Sequence, residues 1–470
     1  MNEGVNTQLK DIIGAHPMNP VVIIPTYITG PRRRNESKSV VARYDHTTNI
    51  NEPGELSRCL RSLEDVEDIG LIVILVAADK SVEAEATSKV RNIVQQHPTL
   101  NVIVIGAVEL AIIRERLEQL GIERVGKQIG LLGYGAIRNL GLLLTNVLGF
   151  DAAVFLDDDE IVDDPLFLQK AMYGLGKLTK NGIPILAKTG YYINDEGSYL
   201  SKWKDKWYNR FWQQGAAFNE WIRGAMKGPR LSRSNHVCGG CLAIHKEAFR
   251  RLAFDPWIPR GEDLDYMLNL RMFGSDIWFD NQWQVRRLPP PSTHEGLRFR
   301  QDIYRWLYEY SKLEYSHSLI DLQKVTAGSL EPYPGPFLEK GLRRRIWITA
   351  ILRSLVRPDK KAYRRAALEA RNDATKYAER HCTDYFEFQR IWPQIMDRVD
   401  KDKILTAALV QSALIEPVSH QAYQANNEVF EESADVYDAE FIQDPNSGGW
   451  IEQHNIDPGL TGQIRIDMGE

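Results

Sequence analysis

Three short runs rich in β-branched residues constrain this chain more than anything else in it: "VVIIPTY" at 21–27, "LIVILVAAD" at 71–79 and "NVIVIGA" at 101–107. Each stops at or near Pro, Asp or Gly, as buried parallel strands tend to. Helical spacing fills the gaps. In "GELSRCLRSLEDV" the residues Leu56, Cys59, Leu60 and Leu63 make one face, and "VEAEATSKVRNIVQQ" follows the second run. The β-α-β-α-β reading continues through a glycine-opened helix in "GYGAIRNLGLLLTNVLGF" and a fourth strand in "AAVFL". This alternation predicts an open α/β sheet, in which ligands bind beyond the carboxyl ends of the strands.

The fourth strand ends in four successive carboxylates, Asp157, Asp158, Asp159 and Glu160. Ionised carboxylates are not buried cheaply, and like charges side by side raise one another's pKa, so the run predicts a positive partner. Without His or Cys beside it, the cluster suits a hard cation with oxygen ligands, Mg²⁺ or Mn²⁺; Mg²⁺ commonly completes its shell with water and substrate phosphate. The structural alternative is a set of acidic residues capping the next helix. Downstream, "GED" at 261–263 opens a helix in which Leu264, Met267, Leu268 and Met272 form a stripe. Acidic residues there either complement the helix dipole or present a carboxylate that takes a proton from a hydroxyl, with Asp263 the candidate base. His294, in "PPPSTHEG", is either an ordinary loop imidazole or a further ligand to a metal held by Asp159.

The net charge of -5 hides an asymmetry: residues 425–470 carry eleven Asp and Glu against Arg465, leaving the preceding chain positive by five. No sustained basic stripe appears, which argues against nucleic acid as a partner. Four cysteines suit a reducing compartment, and the first twenty residues hold Glu3 and Asp11 without a long apolar core. The expectation is a cytoplasmic protein without a signal peptide, its membrane contact limited to the periphery of the inner face. Cys238 and Cys241 form a CxxC without a second pair of matching spacing, so a structural role is expected.

The divisions expected are an α/β part over 1–298, itself divided into 18–160 and 161–298, a helical region at 299–424, and an acidic, weakly packed tail at 425–470. Two segments read ambiguously. In "KWKDKWYNRFW", Trp203, Trp207 and Phe211 recur at i, i+4 and i+8, which predicts a buried helix face; stacking on sugar rings or touching a membrane surface is the alternative. "GLRRRIWITAILRSLVRPDKKAYRR", at 341–365, either packs on the preceding α/β part with its arginines outward or lies against anionic lipid.

Taken in order, "IIPTY", the "AIRNLGL" helix, "FLDDDE", "CGGCLAIHKEAF", "PRGEDLDYMLNLRMFG" and "STHEG" resemble the nucleotide-sugar glycosyltransferases of the GT-A fold, particularly the inverting family 2 group, across residues 20–298. The resemblance implies a Rossmann-like α/β fold, a mostly parallel open sheet flanked by helices, here followed by an α-helical C-terminal region; it makes 1–298 the catalytic domain, with a nucleotide-binding part at 18–160 and an acceptor-side part at 161–298. It implies a UDP- or GDP-linked sugar donor, Mn²⁺ or Mg²⁺, and a carbohydrate, small polar or lipid-linked acceptor. By position it assigns Pro25, Thr26, Tyr27 and Asp79 to the nucleoside, and Arg138 with Asn139 to the base and diphosphate. Asp157 and Asp159 stand for the DxD metal motif with Asp158 between them, and Gly239 and Gly240 let backbone approach the sugar. Asp263 becomes the base with Glu262 beside it, and His294 the third metal-site ligand. The second strand departs from the family pattern in ending "AADKS", as does the insertion at 28–53. A retaining transferase of similar fold, a sugar-phosphate nucleotidyltransferase and a carbohydrate-binding protein are the alternatives.

Overall fold

The computed structural model describes residues 18–31, 47–123, 125–288 and 295–415. His294, the arginine run at 32–34 and the acidic tail lie outside the described residues.

The sheet grows outward from β1 (Pro20–Thr29), whose Val21, Val22, Ile23 and Ile24 are buried on both faces. After the two-residue β2 (Thr48–Asn49) come β3 (Leu71–Ala78), buried along its whole length, and β4 (Asn101–Ile105). The remaining strands are β5 (Ala152–Phe155), β6 (Glu160–Ile161), β7 (Ala187–Ile193), β8 (Leu231–Arg233), β9 (Leu242–His245) and β10 (Ile277–Arg287). They form one sheet in the order β4-β3-β1-β5-β9-β7-β10-β6, with β2 on β1 and β8 on β10. β9 runs antiparallel between β5 and β7, while β4, β3, β1 and β5 are mutually parallel. Continuous Val, Ile and Leu runs belong in such positions, because a strand covered on both faces has no solvent side to alternate with.

The helices of the sheet portion are α1 (Leu56–Leu63), α2 (Glu83–Val94), α3 (Ala107–Gln119), α4 (Tyr134–Val147), α5 (Phe167–Met172), α6 (Gln214–Lys227), α7 (Lys246–Phe249) and α8 (Glu262–Met272). Six more follow: α9 (Glu295–Ser316), α10 (Leu342–Val356), α11 (Lys360–Glu369), α12 (Asp373–His381), α13 (Asp384–Arg398) and α14 (Lys403–Ile415). The α/β fold class with a helical C-terminal region, implied by the GT-A resemblance, is therefore the one observed. The predicted inward faces hold as well: Leu56, Cys59, Leu60 and Leu63 on α1, and Leu264, Met267, Leu268 and Met272 on α8, are all buried.

The C-terminal helices are not laid on the outside of the sheet domain. A single hydrophobic cluster runs from Val21 through Phe155 and Met267 to Trp392 and Leu409. Polar ties reinforce it: Trp392 Nε1 donates to the Phe249 carbonyl at 2.8 Å, and Asn146 Nδ2 donates to the Met396 carbonyl at 2.7 Å.

One expectation from periodicity fails. The aromatic stripe of 203–211 is not a buried helix face: only Trp207–Asn209 form a single 3₁₀ turn, Trp207 is 62% exposed and Phe211 is 39% exposed. The inward residue is the neighbouring Trp212, edge-on to Phe299 and Phe337 with centroids 5.8 and 5.1 Å away. Alternation of Lys with Trp in "KWKDKW" lets the chain run extended here, and spacing alone could not tell this from a helix.

Candidate active site

The carboxyl ends of β1, β5, β7 and β10 and the start of antiparallel β9 converge on one cleft. Its walls include Pro25, Thr26 and Tyr27 from β1, Arg138 from α4, Asp157, Asp158 and Asp159 after β5, Gly239 before β9, and Glu262 and Asp263 opening α8. The cleft encloses about 180 Å³. Segments separated by more than two hundred residues thus meet in one place because each sits at the same edge of the sheet.

The positive partners expected for the carboxylate run are two arginines. Arg138, 5% exposed, donates from Nη2 to Asp157 Oδ1 at 3.2 Å, from Nε to Glu262 Oε1 at 3.2 Å and from Nη1 to the Gly239 carbonyl at 2.8 Å. Burial works against its charge, but Asp157, Glu262 and Asp263 outweigh that and raise its pKa above the ordinary arginine value. Arg287, at the end of β10, donates from Nε to Asp159 Oδ2 at 3.2 Å and lies over the Tyr192 ring at 5.0 Å. The Leu288 amide donates to the Asp159 carbonyl at 3.3 Å, so β10 fixes both ends of that residue.

Burial dominates the remaining acids. Asp158 is pushed up to about 7 by burial, against the pull of Thr26, whose hydroxyl donates to its Oδ2 at 2.6 Å; Asp159 and Asp157 add repulsion. Glu262 is raised to about 7 by burial, with the attraction of Arg138 opposing and the charge of Asp263 assisting. Glu160 is fully buried and raised well above the usual carboxylate range by burial and by Asp157 and Asp159. Its Oε2 accepts from the Asp157 amide at 3.0 Å, while its Oε1 has no hydrogen-bond partner.

Asp157, Asp159 and Glu160 each place one ligand-capable oxygen within 4.8 Å of the others. The donor set is all oxygen, and it includes a buried carboxylate oxygen lacking a partner, which fits a hard divalent cation. Two of the expected ligands, Asp157 and Asp159, belong to this group, and Glu160 is its third member among the described residues. A signal for Glu160 existed, since it completes the acidic run, but only its packing distinguishes it from a helix cap.

Gly240 makes that packing feasible. A Cβ at Gly240 would lie 2.2 Å from Glu160 Oε2, so only glycine leaves room for the carboxylate behind the "CGGC" turn. Gly240 is itself buried, and its amide donates to Tyr192 Oη at 3.2 Å; it backs the acidic group and is not among the cleft walls. Gly239 does line the cleft, with its amide donating to Asp263 Oδ2 at 3.2 Å and its carbonyl accepting from Arg138. Asp263 is half-buried, and its Oδ1 accepts from the Leu264 amide at 2.7 Å.

Two residues assigned to the donor by resemblance stand behind the cleft. Asn139 is fully buried: its Nδ2 donates to the carbonyls of Gln128 and Phe254 at 3.0 and 2.9 Å, and its Oδ1 accepts from the Phe254 amide at 2.8 Å. With both ends of the carboxamide committed to backbone, it clamps two loops and does not face a ligand. Asp79 accepts from the Tyr27 hydroxyl at 3.0 Å and from the Gly30 amide at 3.1 Å, so it orients Tyr27 from the end of β3.

Several walls went unassigned in the sequence. Tyr134, Tyr192, Arg260, Arg287 and Arg305 complete the cleft. Arg305 comes from α9 and donates from Nε to Glu309 at 3.1 Å. Gly261, at φ +76°, accommodates it, because a Cβ there would fall 2.1 Å from the Arg305 Cζ. Nothing local in the α9 sequence marks Arg305; long-range packing alone brings it beside Asp263.

No family model and no curated protein sequence matches the chain. Among solved structures it is similar to a mannosyltransferase, PcManGT from Pyrobaculum calidifontis, in complex with GDP-Man and Mn²⁺, with 14% identity, 88% of this chain and 94% of that chain covered, and a TM-score of 0.38. It is also similar to GalNAc-T7 with UDP, GalNAc and Mn²⁺, with 14% identity, 73% and 58% coverage and a TM-score of 0.36. A third is TarS from S. aureus, with 11% identity, 82% and 55% coverage and a TM-score of 0.36.

Proposed function

We propose that the chain is a metal-dependent glycosyltransferase of the inverting family 2 type, moving a sugar from a nucleoside-diphosphate donor to a hydroxyl acceptor. The observation that carries this is the all-oxygen group of Asp157, Asp159 and buried Glu160, the first two lining a cleft that also holds Asp263, joined to them through Arg138 and Gly239. Asp157, Asp159 and Glu160 would hold the cation, and His294, by resemblance, would add a ligand. Bound there, Mn²⁺ or Mg²⁺ supplies Lewis-acid neutralisation of charge on a diphosphate leaving group.

The chain's own residues supply the rest. Pro25, Thr26 and Tyr27 form the wall on the nucleoside side, with Tyr27 steadied by Asp79. Arg138 adds a fixed positive charge that needs no reorganisation as negative charge develops on the diphosphate. Asp263 accepts the acceptor hydroxyl's proton as that oxygen attacks the anomeric carbon from the face opposite the diphosphate, so the configuration inverts. Because the Asp263 oxygens already accept from the amides of Gly239 and Leu264, the carboxylate is held in one orientation before substrate arrives.

The test is calorimetric titration of the full chain with Mn²⁺ and a panel of UDP- and GDP-sugars, followed by product analysis. The expected result is Mn²⁺-dependent donor uptake that weakens by at least about tenfold in Glu160→Gln, with an inverted anomeric centre in the product. Absence of both metal and donor uptake overturns the reading, and a retained configuration removes Asp263 from the role of base.

A further inference from the structure

The two segments that read ambiguously in the sequence form one surface. Arg353 Nε donates to Asn209 Oδ1 at 3.0 Å and Arg345 Nε donates to the Phe211 carbonyl at 3.4 Å, which lays one flank of α10 along the Trp207–Phe211 turn. On the other flank α11 packs against it, and just past α11 the Arg371 guanidinium lies 4.8 Å from the Trp347 ring centroid.

α10 has apolar residues on both sides. Leu342, Ile346 and Ala350 point into the core. Its outward side carries Ile348, half-exposed, and Leu355, 62% exposed, with Trp347 36% exposed at its border beneath Arg371. Val356 at 45% and Leu368 of α11 at 69% extend this apolar face, and Trp207 at 62% borders it. A helix that only packed on a domain would carry polar residues here.

Charge identifies the occupant. Residues 340–371 hold eleven Lys and Arg against Asp359 and Glu369, a surplus of nine in a chain whose total is -5. Glu369 is buried and already paired with Arg300 and Arg365, so it does not offset the surface charge. Arg343, Arg344, Lys360, Lys361 and Arg364 are exposed around the apolar face, and Lys204, Lys206 and Arg210 are exposed beside Trp207. Apolar side chains ringed by Lys and Arg match a surface that is apolar inside and negatively charged outside. No helix among the described residues is long and apolar enough to cross a membrane, so such contact is made by lying on it.

We propose that the outward face of α10 and α11, together with the Trp207–Phe211 turn, docks the protein on an anionic lipid surface. Arginines hold the headgroups while Leu355 and Leu368 enter the acyl boundary. The junction of α10 and α11 also touches the start of α9, where Arg357 pairs with Glu295, and α9 carries Arg305 into the cleft. The docked face and the cleft are thus braced by one helix. The surface is defined independently of the chemistry in the cleft, so this proposal stands or falls apart from the transferase reading.

The test is co-sedimentation of the full chain with extruded vesicles, phosphatidylcholine alone or phosphatidylcholine mixed with phosphatidylglycerol, at low and physiological ionic strength. Binding is expected to the mixed vesicles only and to weaken with salt. Lys360→Gln and Lys361→Gln should each reduce partitioning about fivefold, and Leu355→Ser with Leu368→Ser about tenfold or more, at unchanged melting temperature and donor uptake. Equal binding to both vesicles, or variants that partition like the parent, overturns the proposal. So does polyphosphate binding that matches vesicle binding and ignores Leu355→Ser, which would mark a general polyanion surface. A dimer in sedimentation equilibrium that Leu355→Ser dissolves would assign the face to a second copy of the chain and likewise overturn it.

Discussion

Asp263 offers the sharpest test at the level of single residues. Its replacement by Asn keeps the shape and removes the basic oxygen, so turnover should fall about 10² to 10⁴-fold while donor affinity, measured calorimetrically, stays unchanged. Glu309 makes a separate prediction about pH. Burial pushes its carboxyl up to about 8 despite the neighbouring Arg305, and its Oε2 has no hydrogen-bond partner. A carboxyl whose pKa is higher folded than unfolded binds more protons in the native state, so its contribution is full below about 4.5 and is withdrawn as pH climbs towards about 8. The loss is at most about 1.4 kcal/mol per pH unit in that window. In Glu309→Gln this fall should flatten, which denaturant unfolding at a series of pH values would detect; identical slopes in the two proteins would remove Glu309 from the account. At this scale the meeting of Asp157, Asp159 and Asp263 at one cleft was legible because an acidic run at a strand end and an acidic helix start stand out in the sequence. Arg287 and Arg305 were not, since one is the last residue of an edge-side strand and the other a lone charge on a long helix, and nothing in their local spacing points at a cleft.

The elements are held in register by a buried charge cluster. Lys312 of α9 donates to Asp255 Oδ2 at 2.7 Å and to Asp265 Oδ1 at 2.8 Å, and Tyr308 Oη donates to Asp255 Oδ2 at 2.8 Å. Asp265 sits in the first turn of α8, two positions after Asp263, and a Cβ on Gly135 at the start of α4 would fall 2.0 Å from the Asp255 carbonyl oxygen. One ammonium group thereby fixes the helix bearing the proposed base against the helix bearing Arg138. Lys312→Met leaves two buried carboxylates without their cation and should cost about 3–5 kcal/mol in denaturant unfolding. The strands were readable because β-branched runs between turn residues have few other uses. The 203–211 stretch misled because aromatic spacing records periodicity without saying which side faces water. α10 was read half correctly: it does pack on the sheet portion, yet it also keeps an apolar side outward.

Across the molecule, the sheet and the helices beyond residue 295 share one core, so they should melt together. A single calorimetric transition is expected, and two separable transitions would contradict a core that runs unbroken from Val21 to Leu409. The sequence marked the change from alternating to helical pattern, but no pattern announced that the late helices return to the early sheet. α14 lies against α3, β4 and α4, and Thr406 Oγ1 donates to the Val147 carbonyl at 3.2 Å. That return imposes an order on biosynthesis. Val147 leaves the ribosome roughly 260 residues before Leu409, which at about 5–20 residues per second leaves the rear of the sheet uncovered for roughly 13–50 seconds. During that interval the nascent chain displays the apolar side that α14 will eventually close, so its yield should depend on chaperones far more than the finished protein's stability would suggest.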